Sequence, residues 1–179
     1  MAAGASVNVS SITMSPHVGT HADAPVHVTL GANGADALPL HPFHGPALVV
    51  DISDIEGAVP LEMLAVRFTV GTPVRLLLKT GRSIAGGTFP DRWPFLTSDC
   101  ARALVSQGMI LLGVDCPSVD DRNSQTLEAH HALFDAGAFV LENLDLTAVK
   151  PGTYELIAYP TKFVGLDAAP VRAVLRAIE

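Results

Sequence analysis

Four short apolar runs recur along this 179-residue chain, spaced widely enough for a helix between each pair. They are 46–53 (PALVVDIS), 73–81 (PVRLLLKTG), 109–115 (MILLGVD) and 138–143 (AFVLEN). Each has the length of a buried strand and falls far short of the roughly 18 to 20 residues that span a bilayer. The stretches between them predict helices. One covers 60–68. A second covers 97–108, with Thr97 as N-cap, Asp99 in the first turn and Gly108 as terminator. A third covers 127–137 and stops at Gly137. Further strands are expected at 7–14 (VNVSSITM), rich in β-branched residues, and at 153–163. Segment 170–179 is open between strand and helix. With no internal repeat and no linker, residues 1–179 are expected to form a single α/β domain, with mixed β-sheets and flanking helices.

Composition narrows the function. Hydrophobic residues make up 49% of the chain, enough for a real core. Net charge is -7 and no Lys/Arg run occurs, so no nucleic-acid partner is expected. No membrane segment is expected either, and the start MAAGASVNVSS lacks the pattern of a signal peptide. Cys100 and Cys116 have neither zinc-knuckle nor CxxC spacing, which predicts two reduced core thiols in a cytoplasmic protein.

The chemistry concentrates in 15–27, SPHVGTHADAPVH. His17, His21, Asp23 and His27 all sit at odd positions, so an extended strand would turn all four to one face. Gly19, Thr20 and Pro25 disfavour a helix there. Imidazole and carboxylate suit zinc or manganese. A strand face with four such groups makes a metal site the leading expectation.

Two later features join it. Glu142 lies in an otherwise apolar strand, where a carboxylate is costly unless it is paired or bound to a metal. His130 and His131 stand together in a helical pattern. A two-metal site needs carboxylates that bridge, because bridging anions offset the repulsion between dications. Asp23 and Glu142 offer those, and His17, His21 and His130 offer neutral nitrogens. His27 is left free to move protons. The long turn-rich segment 82–95 is a candidate site wall, or a plain surface connection. Loop 29–46 carries His41 and His44.

The pattern H-x-G-T-H-x-D-A-P-x-H resembles the signature of the cyclase-like metal-dependent hydrolases, a family that includes bacterial kynurenine formamidases. The resemblance runs on through GVDCPSVD (113–120), TLEAHHALFDAGAFVLENLDL (126–146) and GTYELIAYPTKFVGLDAAPVRAVL (152–175). It implies a swivelling β/β/α architecture and two Zn2+ ions per chain, with Mn2+ as the alternative. It assigns His17, His21, Asp23 and Glu142 to one ion and Asp23, His130 and Glu142 to the other. His27 becomes the proton donor and acceptor. His131 takes a supporting role beside its neighbour, and Asp115 and Ser118 line the site. The implied reaction is hydrolysis of N-formyl-L-kynurenine to L-kynurenine and formate in tryptophan breakdown, by a homodimer or larger assembly. No G-x-S-x-G elbow supports a serine mechanism.

One departure from the family pattern stands out. Members generally begin with a further segment holding a strand and a Trp-Pro-Gly-like motif, whereas this chain starts just before the strand leading to His17. Its lone tryptophan is Trp93, read either as a partial replacement or as a packing residue. The expectation is a chain with its N-terminal segment missing, its ligands intact and its substrate binding or stability weakened. Two alternatives remain: a family hydrolase opening a cyclic amide such as isatin, and a non-catalytic metal-binding homologue.

Overall fold

The computed structural model describes residues 4, 6–68 and 71–178. Its frame is an eight-stranded sheet with a parallel centre. Strands β2 (His44–Asp51), β4 (Arg75–Lys79), β6 (Leu111–Val114) and β7 (Phe139–Glu142) run parallel in that order. Antiparallel pairs flank them: β8 (Gly152–Ile157) and β10 (Val174–Ala177) beyond β2, and β1 (His21–Asp23) and β9 (Ala168–Pro170) beyond β7. A two-stranded parallel sheet joins β3 (Ala58–Val59) to β5 (Phe95–Leu96).

Parallel neighbours need crossover connections, and the helices predicted between the apolar runs supply them. Helices α1 (Leu61–Ala65), α2 (Ser98–Ser106) and α3 (Glu128–Asp135) link β2 to β4, β4 to β6 and β6 to β7. Thr97 caps α2 as expected, its hydroxyl accepting from the Cys100 amide at 3.1 Å.

The central strands are apolar on both faces because both are covered. Leu76, Leu78, Leu112, Val114 and Val140 join the core beneath the helices, with Leu104 and Leu133. The alternate residues Leu77, Leu111 and Leu141 join a second core with Phe43, Leu144 and Leu156. Gly113 lies on that second side. A Cβ there would meet Leu77 Cδ2 at 2.5 Å and Leu144 Cδ1 at 2.8 Å, so any side chain would have to displace both leucines. Cys100 and Cys116 are free and buried, and burial pushes both thiols up.

Two local expectations fail, and one open reading is decided. Segment 7–14 forms no strand, and Val7, Val9 and Ile12 are exposed; β-propensity needs a paired neighbour, and no described strand pairs with this segment. The strand expected over 153–163 ends at Ile157, before Pro160. Segment 170–179 resolves into the end of β9 and the short strand β10.

Candidate functional site

The single strand face expected for the histidine cluster is not what brings it together. Strand β1 is three residues long and holds only His21 and Asp23. His17 lies in the turn before it, and His27 ends a 3-10 turn, Pro25–His27, begun by the proline. Short polar segments with Gly19 (φ 70°) and Pro25 cannot stay extended over eleven residues. The cluster survives because the chain folds back on both sides of β1. His17 and His27 rings then lie 4.4 Å apart, and His27 lies 5.9 Å from His130.

Sheet register delivers the rest. His21 on β1 stands opposite Glu142 on β7, so both side chains share a face, as does Asp23 two residues on. Glu142 closes β7 at the carboxyl end of the parallel strands, where open α/β sheets place their ligands. His130 enters from the first turn of α3. These four form a buried floor: His21 is 1% exposed, Asp23 0%, His130 2% and Glu142 4%. His17 and His27 form a half-open rim, joined by Asp167.

The distances describe three overlapping ligand groups: His17–His27–Asp167 on the rim, then the pair His17–His21–Asp23 and Asp23–His130–Glu142, which share Asp23. Asp23 spans them: its Oδ1 is 3.0 Å from His17 Nδ1 and 3.3 Å from His21 Nε2, and its Oδ2 is 3.2 Å from His130 Nε2. Glu142 spans the same gap, with Oε1 3.3 Å from His130 Nε2 and Oε2 3.6 Å from His21 Nε2. The Val119 amide holds Glu142 Oε1 at 2.9 Å.

Each of the three candidate ligand histidines is anchored on its outer nitrogen by an oxygen that can only accept. His21 Nδ1 meets the Gly19 carbonyl at 2.8 Å. His130 Nδ1 meets Asp120 Oδ2 at 2.6 Å, and His17 Nε2 meets Asp167 Oδ2 at 3.0 Å. Those outer nitrogens therefore carry the protons. The inner nitrogens, His17 Nδ1, His21 Nε2 and His130 Nε2, converge on the two carboxylates. His17 Nδ1 and His21 Nε2 lie 3.1 Å apart. Asp23 Oδ1 is buried and takes no well-aligned hydrogen bond among the described residues, despite its two close imidazoles. Converging lone pairs around an orphaned carboxylate oxygen fit a cation.

The titration behaviour has the same cause. Burial disfavours charge on Asp23, but His130, His17 and His21 together hold its carboxyl well below the usual range. Burial likewise opposes a cation at His17, yet the close carboxylates of Asp23 and Asp167 raise it to about 9. His21 and His130 are raised against burial in the same way, chiefly by Asp23 and by Asp120 respectively. The two carboxylates demand positive charge, and protons on the imidazoles answer when no metal does.

Two oxygen anchors escaped the sequence. Asp120 ends the segment GVDCPSVD, in which only Asp115 and Ser118 carry an expected role. It accepts from the Ala129 and His130 amides at the start of α3 as well as from the His130 ring. Asp120 is thus the residue that anchors the His130 ring; His131 is half-buried and joins none of the ligand groups among the described residues. Asp167 had no spacing signal at all. Asp115 and Ser118 do not line the cluster's hydrogen bonds. Asp115 ties down Thr80 and Gly81, and Ser118 Oγ accepts from the Asp120 amide at 3.2 Å. Trp93 is a core residue, 5% exposed, whose indole donates to the Asp120 carbonyl at 2.8 Å. Within segment 82–95, Trp93 therefore backs Asp120. A cleft of about 590 Å3 lies elsewhere, beside Pro46, Glu155 and Arg176, and carries no comparable convergence of ligand atoms.

Known proteins share this framework. The family described as "Putative cyclase" matches residues 3–121. A kynurenine formamidase of Bordetella avium is 45% identical over 170 residues, covering 95% of this chain and 81% of that protein. The solved structure of a potential metal-dependent hydrolase with cyclase activity superposes with a TM-score of 0.84. It is 32% identical and covers 92% of this chain and 81% of its own. Isatin hydrolase A from Labrenzia aggregata is more distant, with a TM-score of 0.73 and 25% identity over 91% of this chain and 74% of its own.

Proposed function

The chain belongs to the cyclase family, and from that premise we propose that it is a metal-dependent hydrolase converting N-formyl-L-kynurenine to L-kynurenine and formate. The observation that carries the metal part is the set of three imidazoles, each with its outer nitrogen on an acceptor oxygen and its inner nitrogen turned toward two carboxylates. The substrate rests on the 45% identity to a kynurenine formamidase. The reading takes residues 1–179 as one hydrolase domain.

His17, His21, Asp23 and Glu142 would hold one ion, and Asp23, His130 and Glu142 the other. Zinc suits this nitrogen and oxygen set, and manganese is the second choice. When bound, such a pair acidifies a water and polarises a carbonyl oxygen. The protein's own groups do the rest. Asp23 and Glu142 offset the charge of the two ions, and the buried floor keeps their geometry fixed. His27 Nδ1 donates to Asp167, which leaves Nε2 with a lone pair. That nitrogen takes a proton from the attacking water and returns it to the departing aryl amine as the formyl C–N bond breaks. No acyl-enzyme is required.

Isatin ring-opening is the second reading, favoured by the isatin hydrolase likeness but at lower identity. A non-catalytic metal protein is disfavoured by His27, a proton carrier that a closed structural site would not need. Reconstituting the chain with two equivalents of zinc or manganese and assaying both substrates separates these readings. We expect kynurenine release to outpace isatin opening; the reverse order would transfer the assignment. Retention of metal without hydrolysis of either amide would support the non-enzyme reading.

The assembly is proposed to be a homodimer or larger, which light scattering checks. Val7, Val9 and Ile12, which precede the cluster in the chain, and Val18 within it are exposed apolar residues that a partner surface would cover. We place it in the cytoplasm on its two unpaired cysteines. No described helix is long and apolar enough to cross a membrane.

A further inference from the structure

Asp167 stands outside the two ligand groups that share Asp23 and groups instead with His17 and His27, two histidines with different duties that meet one of its oxygens. Oδ2 lies 3.0 Å from His17 Nε2 and 3.3 Å from His27 Nδ1. An aspartate 44% exposed at its side chain would ordinarily swing freely in water. This one is carried on a stapled backbone. Its carbonyl accepts from the Ala24 amide at 2.9 Å, and the Ala24 carbonyl accepts from the His27 amide at 2.9 Å. On the other side Leu166 accepts from Ala35 at 2.9 Å, and the next residue, Ala168, pairs with Asp23 in the sheet. Asp167 is thus built into the edge of the strand that bears His21 and Asp23.

A carboxylate only accepts, so a single oxygen facing two imidazoles makes both facing nitrogens donors. In a neutral ring the remaining nitrogen then keeps its lone pair, free for a cation or a proton. For His17 that nitrogen is Nδ1, aimed at Asp23 and His21. For His27 it is Nε2. We propose that Asp167 is a positioning residue that sets the tautomers of His17 and His27 together, making one ring a metal ligand and the other a proton acceptor. This rests on the metal-hydrolase reading above. It goes beyond that reading by coupling metal affinity and proton transfer through one side chain outside the ligand set. An ordinary half-exposed ion pair would contribute little beyond slight stability. A tautomer-setting carboxylate changes function without changing the fold.

The test uses the full chain loaded with zinc, and Asp167→Asn and Asp167→Glu variants. Nitrogen-15 histidine spectra of the wild type should show His27 as the Nδ1–H form, and Asp167→Asn should lose that preference. Chelator competition should show metal affinity falling about 10- to 100-fold in Asp167→Asn, with partial recovery in Asp167→Glu. On a formamide substrate, kcat should fall while KM stays within about threefold. In a His27→Ala background, Asp167→Asn should cost markedly less in kcat. An Asp167→Asn chain with unchanged tautomers and unchanged affinity overturns the proposal. So does a third zinc equivalent in the wild type that Asp167→Asn abolishes, because His17, His27 and Asp167 would then be holding a cation themselves. The spectra and the chelator competition need no substrate. Absence of formamide turnover with the expected spectra would therefore sink the substrate assignment and leave the role of Asp167 standing.

Discussion

The floor and the rim of the cluster use the same residue types and are held in opposite ways. On the floor, His21, Asp23, His130 and Glu142 are buried, and their placement follows from the β1–β7 register and the first turn of α3. On the rim, His17 and His27 are side-chain exposed by 26% and 28%, sit in turns, and depend on Asp167 for orientation. Buried charge is costly and tolerates one arrangement; half-exposed charge is cheap and adjustable. A site that must hold cations rigidly and still pass protons to a substrate needs both.

The largest effect should come from the floor. Asp23→Asn removes one spanning charge while keeping the shape, so metal content should drop by about half and kcat by at least about 10^3-fold. Elemental analysis beside a rate assay checks this, and full metal content in the variant would break the contrast drawn above. Next is the rim. His27→Ala should lower kcat by about 10^2- to 10^4-fold with metal content intact. Loss of metal in that variant would make His27 a ligand, not a proton carrier.

Asp120→Asn should weaken metal binding by about 10- to 100-fold, measured by chelator competition, because it loosens the His130 ring without removing a ligand. The smallest effect concerns pH. In the metal-free chain, His17 is raised from 6.5 to about 9. A raised folded-state value means that the stabilisation is fully present below about pH 6.5 and is lost as pH rises toward 9. His21 and His130 add to it in the same direction. Bound metal replaces those protons, so the gain in melting temperature on adding zinc should grow from pH 6 to pH 8. A gain that shrinks with pH would contradict the proton-for-metal exchange.

The fold was largely legible because its signals are local. The apolar runs, the Thr97 cap and the Gly137 stop place β2, β4, β6, β7, α2 and α3 without reference to distant residues. Segment 7–14 misled for the complementary reason: its β-branched residues carry a strand tendency, but a strand exists only where another pairs with it. The candidate ligands were legible too, since a Glu in an apolar strand and histidines amid glycine and proline are expensive choices unless used.

The sequence by itself thus specified which side chains carry chemistry, because residue type sets ligand character and cost of burial. Only the tertiary structure decided how they meet. Strand pairing sets His21 against Glu142 across 120 residues of chain, and the backward folds around β1 bring in His17 and His27. Asp120 and Asp167 gain their roles purely from proximity. An acceptor oxygen has no sequence signature; its meaning depends on which proton it faces.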